Sequence, residues 1–537
     1  MKGALRLSTI PLLLALSACT ANPGPPPIVE EETTTTTSTT APAPAARSEV
    51  RVGVAPLRNG LNPHLAADEN STVHDIAELT LPSVFVRQPE GEWLLNTDVV
   101  VSADIVPDTE QMTEQMTVRY QINPAAQWSD GSPLTGADFV YLWRGMVSTP
   151  GTVDPAAYRA ISDVQVSGAG KTVDVVFAEP VQDWQSLFTH LLPSHLLDSN
   201  AGDFATALAS SIPASAGRYM VNSVDHGAGA IVLNRNDRFW GESPAGIDIL
   251  TLATARSTDQ VADRLRSGQY AFVDHVPGET SLDTYSLIPD TQVTTYEGPR
   301  ELGVTMSVVS PILRELPARQ ALSSLIDVPL ISRIASGRNI GVSSASSASR
   351  SSEVGEVDAG AIPASESRRL RIAADPRDSE AMQAARAIVD VLNGRGIPAE
   401  TIAADMTDIA KRLPEGEVDA VVGWSLATTP SAWASEIQCP ADDAGYAGNL
   451  SGLCMPETES LAADILSGAI GPDNAGARVT SILQRESVWL PLLREERIVA
   501  LGTSLEVPAL IDEPAAALTA APSWVLRTPA GNLEKEN

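Results

Sequence analysis

From Thr20 to Arg47 the chain is built of Pro, Thr, Ser, Ala and Glu with almost nothing apolar, including Thr33 to Thr37 in a row and then Ala41-Pro42-Ala43-Pro44. Such a segment cannot bury enough surface to offset its chain entropy, so it predicts a disordered tether. As flexible coil it would span on the order of 30 Å. Whatever folds must come from the residues after Ser48. With 43% hydrophobic residues over 537 positions, that body can bury substantial cores and should divide into two or three lobes.

Ahead of the tether, Lys2 and Arg6 form a basic head, Leu7 to Leu16 an apolar stretch, and Leu16-Ser17-Ala18-Cys19 a small-residue cleavage site. This is the pattern of a secretory signal, too short to span a bilayer. Its Leu-Ser-Ala-Cys ending resembles the bacterial lipobox, in which the cysteine is acylated and becomes the first mature residue. Residues 1–18 are therefore expected to be a lipoprotein signal peptide, Cys19 the lipidation site and 19–47 the tether. Acyl chains contribute about 0.8 kcal/mol per buried CH2, so two or three together anchor stably. The expected location is extracytoplasmic, lipid-anchored to the cell membrane. No later segment approaches twenty uninterrupted apolar residues.

The formal charge of −31 argues against a nucleic-acid partner, which needs a basic surface, and disfavours direct attachment to anionic headgroups. Of three cysteines, Cys439 and Cys454 remain once Cys19 is assigned. In an oxidising compartment they are expected to form a disulfide. The alternatives, a metal pair or a catalytic thiol, lack a nearby histidine or a second cysteine pair.

Several stretches imitate enzyme motifs. Ser-Gly-Ala-Gly-Lys-Thr (167–172) looks like the end of a phosphate loop, but Gln165 stands where a glycine is needed. Alternating residues on both sides predict a hairpin instead. Gly-Trp-Ser-Leu-Ala from Gly423 lacks the last glycine of a nucleophile elbow. His64, His74, His190, His195, His226 and His275 show no metal-ligand spacing in sequence. Ser194-His195 reads as a helix start. The expectation is a protein with no catalytic residue, no cofactor and no metal site.

Strand and helix patterns alternate, which predicts an α/β class. Strands are expected at 49–55, 117–123 and 230–240. Thr135 should cap a helix carrying Asp138 in its first turn, with Phe139, Leu142, Trp143 and Met146 on one face. A helix running into a strand is expected over 257–276 and two helices over 316–337. A strand–helix–strand unit should run from Arg368 to Ser425, its helix ending at the glycines Gly394 and Gly396. A second low-complexity patch lies between Ile340 and Glu366.

Blocks along nearly the whole body resemble the oligopeptide/dipeptide class (family 5) of extracellular solute-binding proteins that serve ABC importers. They are Gly60-Leu-Asn-Pro-His64, the specific block WSDGSPLTGADFVY (128–141), SAGRYMV (215–221), LNRNDRFWGESPAGID (233–248), RQALSSLIDVPLI from Arg319, GNLSGLC (448–454) and WLPLLREERIVA (489–500). The resemblance implies a two-lobed periplasmic-binding-protein-like fold with an inserted third lobe. A base lobe would combine 48–85, 205–302 and 491–527, a small lobe would insert at 86–204, and a second main lobe would span 303–490. Hinge crossings would lie near Gly303–Val308 and Trp489–Leu493, and residues 528–537 would be a tail. Ligands of this family sit between the main lobes.

Peptide-binding relatives carry an acidic residue shortly after the Gly-Trp that corresponds to Gly423-Trp424. Here no carboxylate follows until Glu436, which puts ordinary peptides in doubt, because a buried ammonium without a partner is costly. The cysteine pattern and the tethered body resemble the LpqW-like subgroup of mycobacterial and corynebacterial lipoproteins. That resemblance implies a role in assembling envelope glycolipid (phosphatidylinositol mannoside and lipoarabinomannan), through a bound glycolipid or a mannosyltransferase partner. The alternative is the receptor of an ABC permease for peptides or another small solute. Expected cleft residues are Asn62, His64, Trp424, Ser425, Trp433, Tyr446 and Asn449, whose aromatic faces could stack on sugars or cover a peptide.

Overall fold

The computed structural model describes residues 47–527 apart from 89–90, 107–115, 198–202, 340–341, 343–358, 441–444, 509 and 511–512. The expected signal peptide, Cys19, the tether to Ala46, the tail and most of the patch after Ile340 lie outside the described residues. Among the described residues no helix is long and apolar enough to cross a membrane.

Ten strands form one sheet. In chain order they are β1 (Glu49–Val54), β2 (Tyr219–Asp225), β3 (Ala230–Arg235), β4 (Ile249–Thr254), β5 (Phe272–His275), β6 (Gln292–Met306), β7 (Leu370–Ala374), β8 (Ala399–Ala403), β9 (Ala420–Ser425) and β10 (Trp489–Leu501). Their spatial order is β8-β7-β9-β6-β10-β5-β1-β4-β3-β2. The alternation of β1 is real, with Val50, Val52 and Val54 buried. β1 runs parallel to β4 and β5, and β7 parallel to β8 and β9. Between these two α/β halves lie the long antiparallel strands β6 and β10. Their register breaks between Glu297 and Glu301 and again between Leu302 and Gly303, at and just before the segment expected to cross between lobes.

The inserted region, the chain between β1 and β2, carries a four-stranded antiparallel sheet in the order Val100–Val106, Met116–Ile122, Thr172–Phe177, Ile161–Ser167. The last two are the hairpin expected around Gly168–Gly170. Helix Gly136–Ser148 begins where Thr135 predicts, with a capping box to Asp138. Asp138 then does more than cap. Its carboxylate accepts from the Ser194 backbone at 3.0 Å and hydroxyl at 2.7 Å, while Trp128 is fully buried beside it. The most specific sequence block is thus a structural node, and Ser194 opens the short helix Ser194–Leu197.

One hydrophobic core joins the β1–β4 side of the large sheet with the inserted region, and it also takes in Ile437, Leu461, Ile465, Val479 and Leu483 from helices Pro430–Ile437, Pro456–Leu466 and Pro472–Arg485. A second core lies over β6, β7 and β9, under helices Leu316–Leu325, Val328–Ser336 and Ser379–Gly394. Packing is therefore continuous from the inserted region onto the segment 430–488. Hydrogen bonds cross at the same place: Gln182 N donates to Leu466 O at 2.7 Å, Gly151 N to Tyr446 O at 2.9 Å, and Ala156 N to the Ser435 hydroxyl at 3.0 Å.

Candidate ligand cleft

A cavity of about 1230 Å³ lies where these regions meet. Its walls come from the turn and helix after β1, the inserted region, the middle of β6 and β10, and the end of β9 with helix Pro430–Ile437. A volume slightly above the usual range for small-ligand pockets fits a solute of peptide or oligosaccharide size.

The floor is a buried charge network on the two long strands. Arg300, only 5% exposed, donates to both Glu495 carboxylate oxygens at 3.0 and 2.6 Å, and its other terminal nitrogen lies 3.6 Å from Glu69. Arg497 pairs with Asp274 at 2.7 Å, and the Tyr296 hydroxyl donates to the same carboxylate at 3.2 Å. Burial opposes ionisation of Glu495, but the Arg300 guanidinium, its hydrogen bonds and Arg497 outweigh that and hold the carboxyl below its usual range. The network pairs both arginines with carboxylates but leaves one buried nitrogen of each, Arg300 Nη1 and Arg497 Nη1, without a hydrogen-bond partner among the described residues.

Trp424 stands at the end of β9, opposite Leu302 of β6, with the Arg300 guanidinium 5.0 Å from its ring centroid. Its indole N–H is buried without an acceptor among the described residues. The next residue, Ser425, donates its hydroxyl to Glu436 at 2.6 Å. Helix Pro430–Ile437, capped by Thr429, thus turns Glu436 back onto the cleft. The carboxylate absent from the sequence immediately after Trp424 is supplied in space one helix later. This removes the ground on which the sequence disfavoured amine-bearing ligands.

Burial pushes Glu436 up to about 7, with the Ser425 hydrogen bond opposing the shift and Glu301 adding to it. Asp154, whose backbone is in the left-handed region at φ 50°, also lines the cavity. Burial pushes it to about 7 as well, with repulsion from Glu436 and Glu69. Asp75 behaves alike: burial raises it to about 7 although Arg497 opposes, and one of its buried carboxyl oxygens has no protein partner. The cleft thus presents three carboxyl groups poised between neutral and charged forms.

Of the residues expected in the cleft, His64, Trp424 and Ser425 line the cavity, and Asn62, Trp433, Tyr446 and Asn449 do not. His64 is buried and its ring nitrogen Nε2 lies 3.0 Å from the His190 carbonyl. Burial holds its pKa near 3, so the ring is neutral and Nε2–H is the donor. Asn62 is a turn residue: its side chain accepts from His64 N at 3.1 Å and donates to Phe204 O at 3.1 Å. The Trp433 indole donates to Ala427 O at 2.8 Å. The structure contains the Cys439–Cys454 disulfide. Asn449 braces the loop that it closes, donating to Gln438 O at 3.0 Å and Leu453 O at 2.8 Å. Tyr446 packs against Gly452, where a side chain would collide with its hydroxyl. Sequence reasoning missed Glu436, Asp154 and Arg300. The signal for Glu436 was its place on a helix that returns to the Trp424 strand end.

The sequence profile of the bacterial extracellular solute-binding proteins, family 5 Middle, matches residues 63–436. The chain belongs to the bacterial extracellular solute-binding proteins of family 5. Among family relatives, the probable monoacyl phosphatidylinositol tetramannoside-binding protein LpqW of Mycobacterium tuberculosis is 32% identical over 330 residues, covering 60% of this chain and 50% of LpqW. The oligopeptide-binding protein OppA of Mycobacterium bovis is 28% identical over 284 residues, 50% of this chain and 45% of OppA. The chain thus spans about half the length of these curated relatives. The fold is that of solved family 5 proteins: the oligopeptide-binding protein AppA of Bacillus subtilis, in complex with a nonapeptide, superposes with a TM-score of 0.66 over 90% of this chain and all of AppA at 14% identity. As a family 5 member the chain is a solute-binding type protein, with homologues named as lipoproteins and extracellular binding proteins.

Proposed function

We propose that this chain is a lipid-anchored, extracytoplasmic binding protein that encloses the mannosyl head of an envelope glycolipid in its cleft and so serves glycolipid assembly, with a membrane mannosyltransferase as partner. The observation that carries the reading is the wall formed by Trp424, Ser425 and Glu436 with Asp154 nearby. An aromatic face, a buried indole N–H without a protein acceptor and carboxyl groups near neutrality suit a polyhydroxylated ligand. A carboxyl in its neutral form both donates and accepts, as a sugar hydroxyl does, whereas the excess of carboxyls repels a phosphate. The name of LpqW supports the same ligand class. The ligand would favour the closed form by touching both sides of the cleft, since only differential affinity shifts such an equilibrium.

The Glu436 carboxylate favours a second reading, a receptor that holds an amine-bearing solute such as a peptide for an ABC permease. Native mass spectrometry of the full chain purified in mild detergent separates the two, followed by calorimetric titration with mannosylated phosphatidylinositol and with short peptides. The expected outcome is a retained or added glycolipid. A ladder of peptides, or saturable peptide binding alone, would overturn the glycolipid reading and establish the receptor.

A further inference from the structure

The cleft holds a cluster that neither reading uses. His74 and Glu78 lie four residues apart on helix Ser71–Thr80, which places them on one face. His190 reaches the same point from the segment after Leu187, and all three side chains line the cavity. Their ligand atoms lie within 4.8 Å of one another. His190 Nε2 is 2.9 Å from Glu78 Oε1, and His74 Nε2 is 4.0 Å from the same oxygen.

A simple hydrogen bond between His190 and Glu78 accounts for only part of this. The second imidazole turns its Nε2 toward the same oxygen at a distance too long for a hydrogen bond. The two rings stand edge to face with centroids 5.6 Å apart. The position of His190 is also built at a cost. Its backbone sits in the left-handed region at φ 49°, as does that of Phe188 at 56°, a conformation that is unfavourable for a non-glycine residue. It is pinned on both sides, its N–H donating to the Ser83 hydroxyl at 2.9 Å and its carbonyl accepting from neutral His64 at 3.0 Å. Such over-determination fixes an imidazole that would otherwise be free in a loop.

We propose that His74, Glu78 and His190 bind one divalent transition-metal ion of the Zn²⁺ class, with the remaining coordination position open to the ligand cavity. Two imidazoles and one carboxylate are the donor set of open zinc sites, which keep the fourth position for water or substrate. An ion holding nitrogen and oxygen at about 2.0–2.1 Å separates them by about 3.3 Å. The 2.9 Å edge relaxes slightly to meet this, and exposed His74 closes the 4.0 Å edge by side-chain rotation. A solute with a metal-chelating oxygen or nitrogen then completes the shell from within the cleft. The site stands whichever organic ligand the cleft takes.

The test uses the full chain, untagged, stripped with chelator and titrated with Zn²⁺ alone against a competing indicator, with bound metal counted by elemental analysis. The expected result is one equivalent bound, with affinity at least about tenfold lower in His74→Ala and lost in His190→Ala. His74 is exposed, so its variant keeps the fold even if His190→Ala does not, and thermal melts of both confirm which have folded. Exposed His226, outside the cluster, serves as control, and His226→Ala is expected to bind as wild type. Absence of saturable binding, or wild-type affinity in folded His74→Ala, or an equal loss in His226→Ala, would overturn the site.

Discussion

Glu436 ties its ionisation directly to the cleft, because it lines the cavity and accepts a hydrogen bond from Ser425. Its folded pKa of about 7 lies above the ordinary value of 4.5. The folded state therefore prefers the protonated form. The associated stability is fully present below about pH 4.5 and is lost as pH rises through 7, a change of about 3 kcal/mol over that window. Glu436→Gln removes this component, so urea denaturation of variant and wild type should diverge as pH rises from 5 to 8, with the variant gaining. Parallel curves would show that Glu436 titrates normally. The same group separates the two ligands, since an amine should bind more tightly as the carboxylate forms above pH 7, while a neutral sugar should not follow that rise. None of this was legible at residue scale. The sequence showed a gap after Trp424, and only the return of helix Pro430–Ile437 fills it. His64 and Trp424 were named from their places after and near the end of strands, where α/β folds set ligand-facing turns, and both line the cavity. Asn449 does not line the cavity because its amide is used inside the disulfide-closed loop, on Gln438 O and Leu453 O.

At the scale of elements, local signals carried the fold well. Thr135 with Asp138, the alternation of β1 and the hairpin at Gly168–Gly170 each state their structure within a dozen residues. The long strands β6 and β10 were harder, because their order in the sheet depends on partners more than a hundred residues away. Arg497 makes this concrete. It is 2% exposed and pairs across β10 and β5 with Asp274. Arg497→Ala leaves that carboxylate buried and unpaired, and should lower stability by about 3–5 kcal/mol, read as a fall in the urea midpoint at unchanged slope. A loss under 1 kcal/mol would mean that water already reaches the network. The Cys439–Cys454 link joins the end of helix Pro430–Ile437 to the start of Pro456–Leu466. Cys439→Ser with Cys454→Ser should cost about 3 kcal/mol, the chain-entropy value for a loop near fifteen residues, and an unchanged denaturation curve would exclude that contribution.

For the whole molecule the question is what holds the cleft shut. The turn after β1 reaches across to the end of β7: Arg58 pairs with Asp378 at 2.9 Å, Asn59 donates to Asp375 at 2.9 Å, and Arg377 donates to the Arg58 carbonyl at 2.9 Å. Asp378 also caps helix Ser379–Gly394 by accepting from Ala381 N at 3.1 Å, so the latch is anchored on a rigid element. Among the described strands, β6 and β10 lie between the two halves of the large sheet, and their ladder is interrupted beside Gly298 and Pro299. A rotation concentrated there would open the cleft, break the latch and strain the part of the first core where the 430–488 helices pack on the inserted region, while leaving the second core intact. Arg58→Ala removes the latch's guanidinium from the side away from the helix cap. If this largely buried pair contributes about 1–2 kcal/mol to the closed form, its loss shifts the open-to-closed ratio about 5–30-fold. Without ligand, Arg58→Ala should then show a larger radius of gyration by small-angle scattering than wild type. Saturating ligand should restore the compact value at a correspondingly higher concentration. Identical scattering of the two proteins, with identical ligand affinity, would mean that the packing of 430–488 on the inserted region, and not the latch, keeps the cleft closed.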